Sequence, residues 1–147
     1  MRPLAVAASL ALLAGCGSSG GSKGGWSGPP RQNLDGQLPI ADFNDYLAGD
    51  GTAFARSPIA AVTEFLGLDR SSAGVIDIRA TSPGEVRGDS AVVATLSGLL
   101  DDSVSTARYT VELHRNGQQL WSVRAADWAQ VCRPGRGHLD FSFKPCV

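Results

Sequence analysis

Residues 104–132 read VSTARYTVELHRNGQQLWSVRAADWAQVC, and their alternation decides the fold. Ala107, Tyr109, Val111 and Leu113 recur at every second position, with Arg108, Thr110, Glu112 and His114 between them. A period of two marks a strand with one face on a core and the other toward water. A strand is therefore expected over about Val104–His114. Asn116-Gly117 breaks the pattern; Trp121, Val123 and Ala125 resume it, so the next strand is expected over about Gln118–Val131. The turn between them sets the register, because a one-residue slip inverts every side chain. A two-residue turn at Asn116-Gly117 would place Tyr109 opposite Arg124 and send Trp121 and Val123 to the other face. A three-residue loop, Arg115-Asn116-Gly117, pairs Val111 with Trp121 and Tyr109 with Val123, and gives Gly117 the left-handed position that loop type needs. The three-residue loop is the expectation. A bulge at Ala125-Ala126 would bring Trp128 back to the core side.

Upstream, Ile76, Ile78 and Ala80 alternate with Asp77, Arg79 and Thr81, which predicts a strand from Val75. Ser82-Pro83-Gly84 turns the chain, and a strand over about Ser90–Gly98 puts Val92, Ala94 and Leu96 on one face. Asp101-Asp102-Ser103 makes the next turn. Before the strands the period lengthens. Ile40, Phe43, Tyr46 and Leu47 suit one face of a helix over Pro39–Leu47, stopped by Gly49. A second helix opens with Ser57 as N-cap and Pro58 in its first turn, lines Ile59, Val62 and Leu66 along one side, and closes at Gly67, where Leu68 folds back on Val62. Helices set apart from an antiparallel meander make an α+β domain, expected as a single unit over residues 35–147. The order of elements is similar to that of the small cystatin-like and NTF2-like cones, in which a curved sheet cradles a helix. That resemblance implies a cavity between helix and sheet and no particular activity.

The chain has 147 residues, 43% of them apolar and 18% charged, which suits a globular domain and excludes a disordered chain. A domain of this length buries roughly 65% of its unfolded surface. The net charge of −1, without a basic excess, argues against nucleic acid as a partner. No run of 18 apolar residues is present, so the mature chain is expected not to span a membrane.

The N-terminus reads MRPLAVAASLALLAGC: one cation, a short apolar stretch, then small residues. This is the pattern of a secretory signal over residues 1–15. Its end, Leu13-Ala14-Gly15-Cys16, resembles the lipobox of bacterial lipoprotein precursors. The resemblance implies diacylglycerol on the Cys16 thiol, cleavage before it, and a third acyl chain such as palmitate on the new amine. Two or more acyl chains anchor a protein stably to a membrane. The location implied is the cell envelope: the outer membrane facing the periplasm where the cell has one, otherwise the outer face of the plasma membrane. Gly17, where Asp would signal retention in the inner membrane, favours the outer one. Residues 16–34 are expected to be the lipidated Cys16 and a flexible tether, because half of residues 17–28 are glycine and most of the rest serine. Its span is roughly 25 Å. Trp26 stands alone within it and reads as a stray aromatic that touches the domain or the lipid interface.

With Cys16 assigned to lipid, Cys132 and Cys146 form an even pair, which in an exported chain predicts a disulfide. The competing reading is a metal site of Cys132, His138 and Cys146, but no close ligand pair supports it. The tail CRPGRGHLDFSFKPC is the most unusual segment. Arg133, Arg136, His138 and Lys144 are the candidate residues for an anion or a protein partner, with Gly135 and Gly137 freeing backbone amides to point at it. A solvated loop whose glycines serve turns is the plainer reading. Residues 35–69 carry six acids against Arg56, so self-association or a contact between loop and helices is a third.

His138, Asp140 and Ser142 contain the residue types of a nucleophile, base and orienter, but such sets arise by chance and are recognised by geometry. No GxSxG elbow, HExxH, P-loop or Rossmann fingerprint is present, so neither a cofactor nor a resident metal is expected. His114 reads as a surface residue, Asp101-Asp102 as a turn, and Arg87-Gly88-Asp89 as the approach to a strand. Trp121 and Trp128 read as core and strand-edge residues, with sugar stacking as the alternative for Trp128. The expectation is a non-catalytic binding or accessory module. Its rivals are a small hydrolase or transferase using the helix–sheet cavity with His138 as base, and a structural subunit of an envelope complex.

Overall fold

The computed structural model describes residues 25–81 and 88–147. The signal, Cys16 and the Ser82-Pro83-Gly84 turn lie outside these residues. Two helices, α1 (Ala41–Ala48) and α2 (Pro58–Leu66), precede four strands: β1 (Val75–Thr81), β2 (Asp89–Ser97), β3 (Val104–Arg115) and β4 (Trp121–Cys132). The strands form one antiparallel sheet in sequential order, and both helices pack on it. The domain is α+β, as the element order predicts. Among the described residues, no helix is long and apolar enough to cross a membrane.

Local chemistry accounts for α2. The Ser57 hydroxyl accepts from the Ala60 amide, Pro58 occupies the first turn, and Gly67 closes the helix at φ 60°, a left-handed conformation that costs glycine little. Its buried face is Ala61, Val62, Phe65 and Leu66. Ile59, expected on that face, is 41% exposed. Successive residues turn by about 100°, and a stripe centred near Phe65 leaves Ile59 at its rim. From α1, Phe43 and Leu47 are buried. They meet Val92, Ala94 and Leu96 of β2, Val111 and Leu113 of β3, and Val123, Ala126 and Trp128 of β4 in one core.

The β3–β4 turn differs from the expected three-residue loop. Arg115 pairs with Trp121 and Leu113 with Val123, so five residues, Asn116–Leu120, make the connection. The Asn116 side chain builds it, its Oδ1 accepting from the amides of Gln118 (2.9 Å) and Leu120 (3.0 Å). The left-handed residue is Gln119, at φ 65°, and not Gly117. Val111 consequently faces Ala126 and Tyr109 faces Trp128. The bulge falls at Arg124, one residue before Ala125-Ala126: Leu113 pairs with Val123 and Glu112 with Ala125. Its effect is the one expected, since the extra residue moves Ala126 and Trp128 onto the core face.

The packed part of the chain begins earlier than residue 35, the expected start of the domain. The Trp26 ring lies edge-on to Phe43 at 4.9 Å and stacks with Phe65 at 6.3 Å. Its indole N–H donates to the Phe65 carbonyl at 2.9 Å, one of the carbonyls the last turn of α2 leaves without a helical partner. Farther on, Leu38 donates to the Ala126 carbonyl, Trp128 donates to the Gly36 carbonyl, and the Trp128 indole donates to Asn33. Residues 26–38 therefore lie along the domain. A glycine-rich surrounding says nothing about one aromatic whose ring partners arrive through tertiary packing.

Candidate functional site

The tail begins where β4 ends. Cys132 and Cys146 are joined in a disulfide, with Cα atoms 5.5 Å apart. Inside the closed loop Gly137 takes φ 138°, and a Cβ there would stand 2.9 Å from the Cys132 sulfur, so only glycine fits. Ser142 pairs with Gln130 as a short antiparallel bridge on the outer edge of β4, and the Cys132 amide donates to the His138 carbonyl. Phe141 lies under the Arg108 guanidinium at 3.9 Å, holding the tail against the outer face of the sheet.

The four candidate anion-binding cations have different destinations. Arg133 Nε donates to the Asp101 carbonyl at 3.0 Å and its Nη2 to the Leu99 carbonyl at 2.9 Å, while its amide donates to Ser103. It staples the β2–β3 loop. Among the described residues the Arg136 guanidinium makes only long contacts, to an Asp102 carboxylate oxygen at 3.8 Å and the Val147 carbonyl at 3.5 Å. His138 lies between two backbone oxygens, Nδ1 at 2.8 Å from Asp140 and Nε2 at 2.9 Å from Lys144. A ring nitrogen facing a carbonyl must donate, so this geometry suits the imidazolium. The Lys144 carbonyl first, and the Asp140 carbonyl second, raise the His138 pKa above 6.5. Lys144 is exposed. Two of the four charged groups are thus turned onto the protein's own backbone, and two face outward.

The same geometry bears on the other tail readings. The ligand atoms of Cys132, His138 and Cys146 lie within 4.8 Å of one another, but the two sulfurs are bonded together and both His138 nitrogens are occupied. Asp140 meets His138 through its backbone oxygen and not its carboxylate, and Ser142 Oγ accepts from the Lys144 amide. No base aimed at Ser142 results. Elsewhere, His114 is exposed and sits 2.8 Å from an Asp89 carboxylate oxygen at the start of β2. The Asp101 carboxylate caps its own turn, accepting from the Val104 and Ser103 amides, which hold its pKa below the usual value. Trp128 is 7% exposed, so its ring face is closed to a sugar.

A cavity of about 270 Å³ opens between the β2–β3 loop and the core face of the sheet. None of its walls belongs to α1 or α2; it lies where the helix layer stops. Leu96, Leu99, Val104 and Ala107 line one part of it, and Gln32, Ser72, Asp101, Tyr109 and Gln130 give the rest a polar wall. The Tyr109 hydroxyl accepts from Gln32 Nε2 at 3.0 Å, and burial pushes the phenol's pKa up. Gln130 donates from Nε2 to the Lys144 carbonyl at 2.9 Å, tying the cavity floor to the tail. Leu100 stands on the rim, 84% exposed. Arg133 fixes that rim by holding the carbonyls on either side of Leu100. Arg133 thus joins the tail to the cavity rim.

Sequence reasoning missed Gln32, Leu100 and Gln130. Gln130 carried a readable signal, since the bulge that restores Trp128 also places a polar side chain two residues later on the core face. The chain matches no protein-family model, no curated protein and no solved structure.

Proposed function

We propose that this is a lipid-anchored cell-envelope protein, held through Cys16, whose domain is a non-catalytic accessory module that docks a protein partner over the Leu100 rim. The anchor rests on the Leu13-Ala14-Gly15-Cys16 pattern. The docking rests on one observation: an exposed leucine beside a cavity lined by both polar and apolar side chains, on a loop pinned at two carbonyls by Arg133. At about 270 Å³ the cavity falls below the roughly 300–1,000 Å³ of sites that enclose a drug-sized ligand. It suits one side chain from a partner, its apolar part against Leu96 and Ala107 and a polar end toward Gln32 or Gln130, with Leu100 buried beside it as the interface closes. Arg136 and Lys144, facing outward on the neighbouring tail, add a polar rim suited to an acidic partner surface.

The test is a photo-crosslinking residue at Leu100 in the full, acylated protein in its own cells. One dominant adduct at near-equal amounts, lost when Ala107→Trp fills the cavity, is the expected result. Crosslinking that is diffuse, or unchanged by Ala107→Trp, sinks the docking reading. Incorporation of labelled fatty acid, abolished by Cys16→Ser, tests the anchor separately.

A further inference from the structure

The two edges of the sheet are finished differently. On β4 the outward backbone groups are taken one after another. The Asn44 side chain pairs with Val123, Leu38 with Ala126, Gly36 with Trp128, Ser142 with Gln130 and His138 with Cys132. In an antiparallel sheet each strand's residues point their amides and carbonyls alternately left and right. Arg115 donating to Gly88 sets that phase on β2: its even-numbered residues face β3 and its odd-numbered ones face β1. By the register Val75↔Ser97 to Thr81↔Ala91, odd-numbered residues of β1 bond β2. The backbone groups of Ile76, Ile78 and Ala80 therefore point away from the sheet. Among the described residues no hydrogen bond reaches them. An uncovered edge is a template for another strand.

The side chains say which strand. Asp77 and Arg79 share the outer face and lie 2.8 Å apart as an exposed ion pair. Two antiparallel copies of β1 can bond through Ile76, Ile78 and Ala80 in three central registers. One centred on Asp77 sets Asp77 against Asp77, and one centred on Arg79 sets Arg79 against Arg79. One centred on Ile78 sets each Asp77 opposite the Arg79 of the other copy, in non-hydrogen-bonded positions where side chains come closest. Like charges opposed across strands destabilise, and opposite charges stabilise. Only the Ile78-centred register is self-complementary, as a two-fold interface must be. On the other face it sets Ile78 against Ile78 and Ile76 against Ala80. Both isoleucines are only half-buried in one copy and pack on its core, so pairing extends the apolar layer under the helices.

We propose that β1 pairs antiparallel with β1 of a second copy of this chain about a two-fold axis at Ile78, forming one continuous eight-stranded sheet. The test is sedimentation equilibrium of the full acylated chain in detergent, with exposed charges altered so that the fold is untouched. The wild type is expected to dimerise. Asp77→Arg and Arg79→Asp each oppose two like pairs per interface and should weaken dimerisation by roughly tenfold. The double variant, Asp77→Arg with Arg79→Asp, restores complementarity and should recover the wild-type constant. A monomeric wild type overturns the proposal. So does a dimer that the single variants leave intact, or one that the double variant fails to restore.

Discussion

The side-chain amide of Asn44 is hydrogen-bonded twice to the backbone of Val123, donating to its carbonyl at 2.8 Å and accepting from its amide at 2.9 Å. One side chain on α1 thus imitates a neighbouring strand at the point where β4 bends. Helix and sheet edge are joined there by polar contacts as well as by the core. Asn44→Ala leaves both Val123 groups without a protein partner and should cost about 2 kcal/mol, read as a lower urea midpoint with an unchanged slope. Asn44→Asp keeps the acceptor and sets a carboxylate against a carbonyl, so it should be no better than alanine. If Asn44→Ala unfolds at the wild-type midpoint, α1 is not held to β4 by this pair.

Trp26 is a core residue belonging to a segment that composition assigns to the tether. Its ring fills the space against Phe43, Tyr46 and Phe65. Trp26→Ala should destabilise by about 2–3 kcal/mol, below the range for a fully enclosed aromatic because Trp26 is only half-buried. Trp26→Phe keeps most of the ring contact and loses the bond to the Phe65 carbonyl, and should cost about 1 kcal/mol. Equal midpoints for all three proteins would return Trp26 to the tether.

His138 makes the tail sensitive to pH. Its pKa is raised because the Lys144 and Asp140 carbonyls both favour the protonated ring. A pKa higher in the folded than in the unfolded chain means that the proton supports the fold. That support is complete below the ordinary value of 6.5 and is lost as pH rises through the folded value. Amide exchange at Cys132, which donates to the His138 carbonyl, should therefore quicken relative to the base-catalysed trend above that range. His138→Ala should remove the effect. An imidazole that titrates at or below 6.5 by NMR contradicts the two-carbonyl geometry.

What the sequence made legible, and what it did not, divides along physical lines. The ends of α2 were readable because Ser57, Pro58 and Gly67 act on their own backbone. The inward faces of β2 and β3 were readable because alternation needs no knowledge of the partner strand. The β3–β4 register was not, because the Asn116 side chain organises a longer loop and the bulge at Arg124 changes the phase. The cations of the tail were visible as charges, but the acceptors of Arg133 and His138 are carbonyls of residues 99, 101, 140 and 144, and a carbonyl carries no sequence signal. The cavity was missed for the same reason: its rim is the β2–β3 loop, which Arg133 holds through two carbonyls.

The disulfide closes the tail with a sequence separation of 14, and a loop of that length is stabilised by about 3 kcal/mol over its open form. Cys132→Ser with Cys146→Ser should lose about that much in urea unfolding. The loss should appear first as faster exchange at Gln130 and Ser142, whose bridge the closed loop holds. A double variant as stable as the wild type would place the tail's support in the Phe141–Arg108 contact and the bridge alone.

Arg133 is the link between that tail and the cavity rim, and its effect should be separable from the disulfide's. One planar guanidinium reaches two carbonyls on either side of Leu100 with donors in a fixed fork. An ammonium has no such fork, so Arg133→Lys should behave nearly like Arg133→Ala even though it keeps the charge. Both should speed amide exchange across residues 99–103 while costing only about 1–2 kcal/mol in global unfolding, since Arg133 is half-exposed. Both should also weaken crosslinking from Leu100, because a loosened rim must be ordered again before a partner can seat on it. If Arg133→Lys retains wild-type exchange and crosslinking, charge alone is what matters at this position. The rim would then be steered by attraction to Asp101 and Asp102 and not held by the two carbonyls.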